Sequence, residues 1–268
     1  MKTLRLFFAC CLLTSVVSAQ SSPLERLEAS PRHHEWVEVP GAGRPLHIFV
    51  AYPEKHDKTA AVILIHENRG LNDWLRATAD KLAGEGYLVL APDLLSGHAP
   101  GGGRTKDFAS GDAAREAIGR LKTEDVVTDL HAVAEYAKTI PSFNGKLMVG
   151  GYCWGGSTVW NFVVARRDLV GAYVFYGSAS DAALARVAEI PCAVHGFYGG
   201  NDARVNSTLG KTEAAMKAAN KTFEPVIYDG AGHAFMRLGE EANPMPANRA
   251  AYEQAWKRWL ELLEAASR

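Results

Sequence analysis

The sequence predicts an α/β fold, with a mostly parallel central sheet covered by helices on both faces. Short apolar runs alternate with segments of helical periodicity along most of the 268 residues. The run AAVILIH at 60–66 is apolar almost throughout, which is typical of a strand buried on both faces. Regular alternation of strand and helix favours parallel strands joined by helices that cover the sheet. The length suits a single domain of this class.

The chain before this run predicts an antiparallel hairpin. Residues 35–39 and 46–51 alternate in the manner of strands, and the segment PGAG at 40–43 favours a turn between them. The hairpin would stand at the start of the sheet, ahead of its parallel part.

The elements after the run at 60–66 follow from periodicity and glycine-rich breaks. Apolar residues at helical spacing over 72–85 predict a helix, YLVLA at 87–91 predicts a strand, and a glycine-rich loop covers 96–103. The remaining predicted strands cover 146–150, 172–176, 192–197 and 222–228, and the remaining predicted helices cover 112–122, 124–139, 154–165, 181–189, 205–219 and 248–267.

The first residues have the features of a secretory signal peptide. A basic start is followed by an apolar stretch at 6–17 that is too short to span a bilayer, and then by the small residues VSA. The sequence therefore predicts a signal peptide at 1–19, a loose N-terminal arm at 20–34 and one α/β domain at 35–268. We expect a periplasmic or secreted protein that has no membrane segment once the signal is removed.

Charge and motifs argue against several classes of partner. The formal net charge of −1 favours neither nucleic acid nor an anionic membrane. The glycines at 101–103 lack the Lys-Ser/Thr of a phosphate-binding loop, and no GxGxxG opens a helix after a strand. HENRG at 66–70 has a glycine where a zinc protease needs a second histidine. We therefore expect no cofactor and no metal; the sequence does not specify an oligomeric state.

A cysteine lies between glycines where a predicted strand turns into a predicted helix. GYCWG at 151–155 has the form of the nucleophile elbow G-x-S-x-G, with Cys153 in place of serine. A side chain two residues either side of the nucleophile would collide with the strained turn, which explains the glycines. The helix N-terminus should lower the thiol pKa, and the N–H of Trp154 would be an oxyanion donor.

Two structural roles compete with the nucleophile hypothesis. Cys153 could be a buried thiol in a glycine-rich bend, since free cysteines are usually packing residues. It could also pair with Cys192, the other cysteine left after removal of the signal. The disulfide is disfavoured because the two residues lie at opposite ends of parallel strands, roughly 15 Å apart. We expect both thiols to be free and Cys192 to lie in the core.

Partners for a nucleophile follow in the expected order. FYGGND at 197–202 ends a strand with Asp202, and DGAGH at 229–233 ends the next strand with His233. In α/β-hydrolases the acid and then the histidine follow the nucleophile along the chain. Either residue alone could be an ordinary loop residue. Together with Cys153 they predict a catalytic triad at the carboxyl edge of the sheet.

With these residues placed, the sequence resembles the dienelactone hydrolase family of α/β-hydrolases over roughly 35–268. The resemblance implies the α/β-hydrolase fold and a small ester or lactone as substrate. The segments that carry it are IHENRGLN (65–72), GYLVLAPDLL (86–95), GGYCWGG (150–156), FYGGND (197–202) and GAGHAFMR (230–237).

The resemblance also implies roles for single residues. Cys153 would attack the substrate, His233 would carry protons and Asp202 would orient the histidine. Glu67 would contact the cysteine and help to set its ionisation; the alternative is a surface glutamate paired with Arg69. The N–H of Asn68 would be the second oxyanion donor.

One of two family arginines that bind a substrate carboxylate has a counterpart here. Arg237, four residues after His233, matches the first, although it could also be an ordinary surface arginine. The second would fall where this sequence has Gly97 and His98, which leaves open whether dienelactone is a substrate. His98 and Arg104 are alternative replacements.

Two other functions compete with hydrolysis. A non-catalytic α/β-hydrolase-like binding protein would be expected to have a broken triad, and the triad here is complete. A thiol redox protein would need C-x-x-C or a resolving cysteine near Cys153, and the sequence has neither.

Overall fold

The computed structural model describes residues 21–55 and 57–268, which form an eight-stranded sheet with helices packed on both faces. The strands are β1 (His34–Pro40), β2 (Pro45–Ala51), β3 (Thr59–Ile65), β4 (Leu88–Asp93), β5 (Phe143–Tyr152), β6 (Leu169–Phe175), β7 (Val194–Gly199) and β8 (Phe223–Tyr228).

The order of the strands brings the carboxyl ends of the later ones to one edge. Across the sheet the order is β1-β2-β4-β3-β5-β6-β7-β8. The pairs β1–β2 and β2–β4 are antiparallel, and all other neighbouring pairs are parallel. The predicted mostly parallel sheet with an antiparallel hairpin at its start is confirmed. The loops after β3, β5, β7 and β8 therefore lie along the same edge.

The helices vary from one turn to 22 residues. None of those in the described residues is both long and apolar enough to cross a membrane. They are α1 (Pro23–Glu28), α2 (Asp73–Gly84), α3 (Gly111–Ile118), α4 (Thr123–Thr139), α5 (Trp154–Val163), α6 (Asp181–Leu184), α7 (Ala203–Asn206), α8 (Leu209–Ala218), α9 (Phe235–Leu238) and α10 (Pro246–Ser267).

Two apolar layers, one on each face of the sheet, hold the helices in place. Leu130 of α4 and Trp160 of α5 are fully buried in one layer. Trp74 of α2 and Trp259 of α10 are buried in the other. The central strand β3 is buried at every position, as its continuous apolar run predicted. Burial on both faces fixes the strand ends rigidly, so the loops that follow them start from defined positions.

The segment predicted to be a loose arm is instead docked on the domain, from Ser21 onward. It contains α1, whose Leu27 is buried. Asp80 of α2 accepts hydrogen bonds from Ser30 Oγ at 2.6 Å and from Arg32 Nε at 2.7 Å, and His34 Nε2 lies 2.7 Å from it. A buried carboxylate that serves three partners is the physical reason for the docking. The predicted signal peptide, 1–19, lies outside the described residues.

Several predicted elements have different bounds in the structure. The helix predicted at 205–219 is divided into α7 and α8, and the one predicted at 181–189 consists of α6 and a 3₁₀ turn at 187–189. The strand predicted at 192–197 begins at Val194, so Cys192 precedes it and is only partly buried. The sequence analysis missed α1 and α9. Elements of one or two turns carry too few residues for periodicity to reveal them.

Candidate active site

Cys153 occupies a strained turn between β5 and α5. Its backbone angles are φ 54° and ψ −113°, which only a tightly held non-glycine residue adopts. A Cβ atom at Gly151 would overlap the carbonyl oxygen of Gly155, and one at Gly155 would overlap that of Ile65. The two glycines thus allow the turn to close against β3. The turn presents the thiol at the carboxyl edge of the sheet.

His233 lies between Cys153 and Asp202. Its Nε2 is 3.1 Å from Cys153 Sγ, and its Nδ1 is 2.5 Å from Asp202 Oδ2. Asp202 is 6% exposed at the end of β7, whereas His233 is partly exposed in the loop after β8. A buried carboxylate on Nδ1 fixes the ring and favours a proton there, which leaves Nε2 to accept from the thiol. Cys153 and Asp202, which the sequence singled out together with His233, are therefore each within hydrogen-bonding distance of the imidazole.

The surroundings of Cys153 favour a protonated thiol at rest. Burial and then the Glu67 carboxylate raise the pKa of Cys153 above its ordinary value. The backbone N–H groups of Trp154 and Asn68 act on the thiol pKa in the opposite direction, but they do not prevail. The expectation that the helix N-terminus would give a lowered pKa is therefore wrong, because desolvation outweighs it.

Two backbone N–H groups lie near the sulfur. One is the N–H of Trp154, the first residue of α5, and the other is the N–H of Asn68, in the loop after β3. We expect an oxygen on a carbon bonded to this sulfur to accept from both N–H groups, as in an oxyanion hole. The ring of Trp154 is held by stacking on buried His66, with centroids 5.4 Å apart.

Glu67 lies beside the thiol, but its hydrogen bonds go elsewhere. It is 8% exposed; its Oε2 accepts from Arg237 Nε at 3.0 Å, and its Oε1 accepts from Tyr176 Oη at 3.3 Å. Within the described residues Glu67 forms no hydrogen bond with Cys153, and its carboxylate acts on the thiol through its charge. The alternative, a surface pair with Arg69, is wrong, since Arg69 faces Asp112 at 3.7 Å.

Arg237 lies with Glu67 and Tyr176 beside the Cys153 site. It lies on α9, its side chain is 36% exposed, and besides Glu67 it faces Glu241 at 3.9 Å. The partly open guanidinium borders the site rather than lying in an unrelated surface loop. An incoming carboxylate would meet a cation that already holds one carboxylate of the protein.

The two alternative replacements for the missing family arginine do not join this group. His98 is exposed, and its charged neighbours include Arg44 and Asp129. The guanidinium of Arg104 lies over the ring of Trp36, with its Cζ 3.9 Å from the centroid. The neighbours of both side chains therefore lie outside the Cys153 site.

Tyr176 was missed by the sequence analysis. It follows β6 with a φ of 43°, donates its hydroxyl to Glu67, and packs its ring edge against His233 with centroids 5.0 Å apart. It thereby connects the carboxylate to the imidazole. Its position at the carboxyl end of a buried strand was the one available signal. A tyrosine there looks like an ordinary core residue in sequence.

Cys192 has no part in the site. It is half-buried ahead of β7, and burial raises its pKa to about 12. Neither cysteine in residues 21–55 and 57–268 forms a disulfide, which confirms the prediction of two free thiols.

Comparison with protein families identifies relatives of the whole domain. The model of the dienelactone hydrolase family matches residues 46–267. A Yersinia pestis protein named "Putative carboxymethylenebutenolidase" is 28% identical over 250 residues, 89% of this chain and 90% of that protein. One of the same name from Escherichia coli O157:H7 is 30% identical over 235 residues, 83% of each chain. The carboxymethylenebutenolidase of Pseudomonas putida is 29% identical over 195 residues, 72% of this chain and 82% of that one.

Solved structures agree on the fold. A "Putative Dienelactone Hydrolase" from Klebsiella pneumoniae superposes with a TM-score of 0.76 at 24% identity, covering 87% of this chain and 98% of that one. The dienelactone hydrolase-like promiscuous phosphotriesterase P91 from metagenomic libraries superposes with a TM-score of 0.73 at 18% identity, covering 88% and 99%. The chain has the α/β-hydrolase fold, and with a family match from residue 46 to residue 267 it belongs to the dienelactone hydrolase family.

Proposed function

We propose that this protein is an exported hydrolase of small carboxylic esters or lactones that acts through a Cys153–His233–Asp202 triad and an acyl-enzyme. Family membership indicates a hydrolase of this bond type. The observation that carries the mechanism is the position of His233, with Nε2 3.1 Å from the thiol and Nδ1 2.5 Å from a buried carboxylate. That arrangement suits a proton carrier between a nucleophile and its orienting acid.

In the first half of the reaction the thiol must lose its proton as it attacks. Because the pKa of Cys153 is raised, His233 Nε2 takes the proton while Sγ bonds to the carbonyl carbon. Asp202 stabilises the resulting imidazolium. The carbonyl oxygen becomes an oxyanion that accepts from the N–H groups of Trp154 and Asn68. Collapse breaks the carbon–oxygen bond of the ester or lactone, and His233 donates its proton to the departing oxygen.

In the second half a water molecule regenerates the thiol. His233 takes a proton from water, and the hydroxide attacks the thioester carbon, again with the oxyanion held by the two backbone donors. The carbon–sulfur bond then breaks, and the proton on His233 returns to Sγ. The product is a carboxylic acid. For a lactone, the leaving hydroxyl stays on the same molecule.

A substrate that carries a carboxylate suits the charge at the rim of the site. The side chain of Arg237 is 36% exposed and pairs with Glu67, which lies beside Cys153. A guanidinium in this position can bind a substrate carboxylate through two hydrogen bonds. The missing second arginine of the family pattern leaves dienelactone itself unassigned. We propose a small anionic ester or lactone as the preferred class.

A panel of p-nitrophenyl esters and lactones tests the hydrolase assignment. The wild-type protein should hydrolyse short-chain members, and Cys153→Ala should not. Cys192→Ala is the matched control, since it removes a thiol outside the site, and should retain activity. A folded wild-type protein with no turnover on any member would favour the non-catalytic alternative. Equal turnover by wild type and Cys153→Ala would reject Cys153 as nucleophile.

Export is proposed from the sequence of the first residues. The basic start, the short apolar stretch and the small residues up to Ala19 support cleavage before Gln20 and a periplasmic or secreted location. N-terminal sequencing of protein recovered from outside the cytoplasm should begin at or near Gln20. Retention of Met1 in that fraction would contradict export through cleavage.

A further inference from the structure

A cavity of about 400 Å³ lies beside the start of α2 and the loop after β4. Its lining includes none of the residues assigned to the triad, and Arg237 is also outside it. Four cations border the cavity, and two carboxylates accompany them. The cations are Arg69, Arg76, Arg104 and Lys106, and the carboxylates are Asp73 and Asp93.

The two carboxylates are already occupied by the protein. Asp93 accepts from Thr105 Oγ1 at 2.6 Å, from Thr105 N at 2.9 Å and from Leu95 N at 3.1 Å. Asp73 is paired with Arg76 one turn along α2. Both carboxylates are therefore committed to local contacts. Of the other three cations, Arg69 lies 3.7 Å from Asp112 and Lys106 lies 3.9 Å from Asp107, whereas the guanidinium of Arg104 has no carboxylate partner among the described residues.

Arg104 is held where a ligand could use it. Its Cζ lies 3.9 Å from the centroid of the Trp36 ring, a cation–π contact that holds the guanidinium against the indole. Its Nη1 is buried, and within the described residues that nitrogen has no hydrogen-bond partner. A buried charged donor without an acceptor is costly. An anion bound beside the guanidinium would offset its positive charge.

The ends of two helices add to the positive field. Asn72, which caps α2, and Ser110, which caps α3, both line the cavity. The helices have 12 and 8 residues, and each directs its N-terminal N–H groups toward its start. The partial positive charge at the N-termini of α2 and α3 therefore adds to the positive charge of the arginines.

The remaining lining is apolar and suits the body of an organic molecule. It consists of Trp36, Leu71, Phe108 and Ala114 together with aliphatic parts of the polar residues. An inorganic anion would use the cations but would leave this apolar surface in contact with water. A molecule with a charged end and an apolar body would use both.

We infer that this cavity is a binding site for a small organic carboxylate, with Arg104 and Arg69 at the carboxylate and Trp36 and Phe108 at the apolar body. The site is separate from the proposed hydrolase centre and does not depend on it. Arg69 nevertheless lies on the same loop as Asn68, whose N–H faces the thiol. A ligand bound to Arg69 would therefore contact the loop that also carries the proposed oxyanion donor.

The test is a titration with 4-fluorobenzoate, followed by ¹⁹F NMR on the full protein. Saturable binding is expected, and Arg104→Gln and Arg69→Gln should each weaken it by about tenfold or more. Arg120→Gln is the matched control, because it removes an exposed arginine that is paired with Glu116 on the protein surface. Arg237→Gln should also leave the affinity unchanged, which separates this cavity from the Cys153 site.

Three results would overturn the inference. They are the absence of saturable binding, loss of binding in Arg237→Gln with retention in Arg104→Gln, and equal affinity for the neutral analogue 4-fluorobenzamide. The last would show that the cavity recognises the ring and not the charge. Circular dichroism checks that each variant is folded. If Arg104→Gln is not, Arg69→Gln and Lys106→Gln decide the outcome, since both side chains are largely exposed. Because binding is measured, failure of the proposed hydrolysis would not affect the result.

Discussion

Arg237 Nε lies 3.0 Å from Glu67 Oε2, although the two residues are 170 positions apart in the chain. The guanidinium expected to bind a substrate carboxylate thus holds a carboxylate of the protein. Glu67 in turn is one of the two causes that raise the pKa of Cys153. The ion pair therefore connects the proposed substrate-binding cation to the ionisation of the proposed nucleophile.

Replacement of Arg237 should affect anionic substrates selectively. For Arg237→Gln we expect KM for an ester bearing a carboxylate to rise by about tenfold, because a charge-assisted pair is lost. KM for a neutral ester of similar size should change little. Arg249→Gln is a suitable control, since it removes another arginine in an i,i+4 pair on the surface. An equal change in KM for both substrates would mean that Arg237 is structural.

Replacement of Glu67 should make the thiol more acidic. The carboxylate raises the pKa of Cys153, so Glu67→Gln should lower this pKa and move the midpoint of iodoacetamide alkylation to lower pH. The measurement is the alkylation rate as a function of pH. It is made in a Cys192→Ser background, so that the rate reflects Cys153 and not Cys192. Glu253→Gln, an exposed glutamate, is the control. An unmoved or raised midpoint would rule out an electrostatic role for Glu67.

The proton relay predicts a large loss of turnover without loss of fold. His233→Ala should abolish turnover, and Asp202→Asn should lower kcat by about 10⁴-fold with little change in KM. Asparagine can still cap α7, where Asp202 Oδ1 accepts from Val205 N at 3.4 Å, so the fold should persist. Asp229→Asn removes an exposed carboxylate from the loop that carries His233 and should be near wild type. A wild-type kcat in Asp202→Asn would show that Asp202 does not orient His233 for catalysis.

The thiol itself is tested by two substitutions. Cys153→Ala should remove activity. Cys153→Ser keeps the turn and the relay but substitutes a much weaker acid, so kcat should fall by about two orders of magnitude or more. Steady-state rates and intact-mass detection of an acyl adduct provide the measurement. Wild-type rates in both variants, with pure and folded protein, would show that another residue is the nucleophile.

The elbow glycine predicts a local penalty on stability. Gly155→Ala would drive a methyl group into the carbonyl oxygen of Ile65, so the free energy of unfolding should fall by about 1–3 kcal/mol or more. Gly210 in α8 is the matched control, because its added methyl meets open space, and Gly210→Ala should be neutral or stabilising by up to about 1 kcal/mol. Urea unfolding monitored by circular dichroism measures both. Similar values for the two variants would contradict the close approach at the elbow.

Much of the fold follows from local patterns. The continuous apolar run before Glu67 required a strand buried on both faces, and the glycines around Cys153 required a tight turn after β5. Each pattern reports whether a residue is buried or whether the backbone needs room, and these are properties of neighbouring residues. Once strands are parallel, their carboxyl ends must meet at one edge. The proximity of Cys153, Asp202 and His233 could therefore be predicted.

The tertiary structure alone decided which partners the charged groups have. Glu67 pairs with Arg237 and Tyr176 rather than with Arg69, and the predicted loose arm is docked on Asp80. The pKa of Cys153 also reversed the expectation, because burial outweighs the helix N-terminus. Periodicity shows that a side chain faces inward but not what lies opposite. Pair choice and desolvation depend on contacts between segments far apart in the chain, and these exist only after the layers have packed.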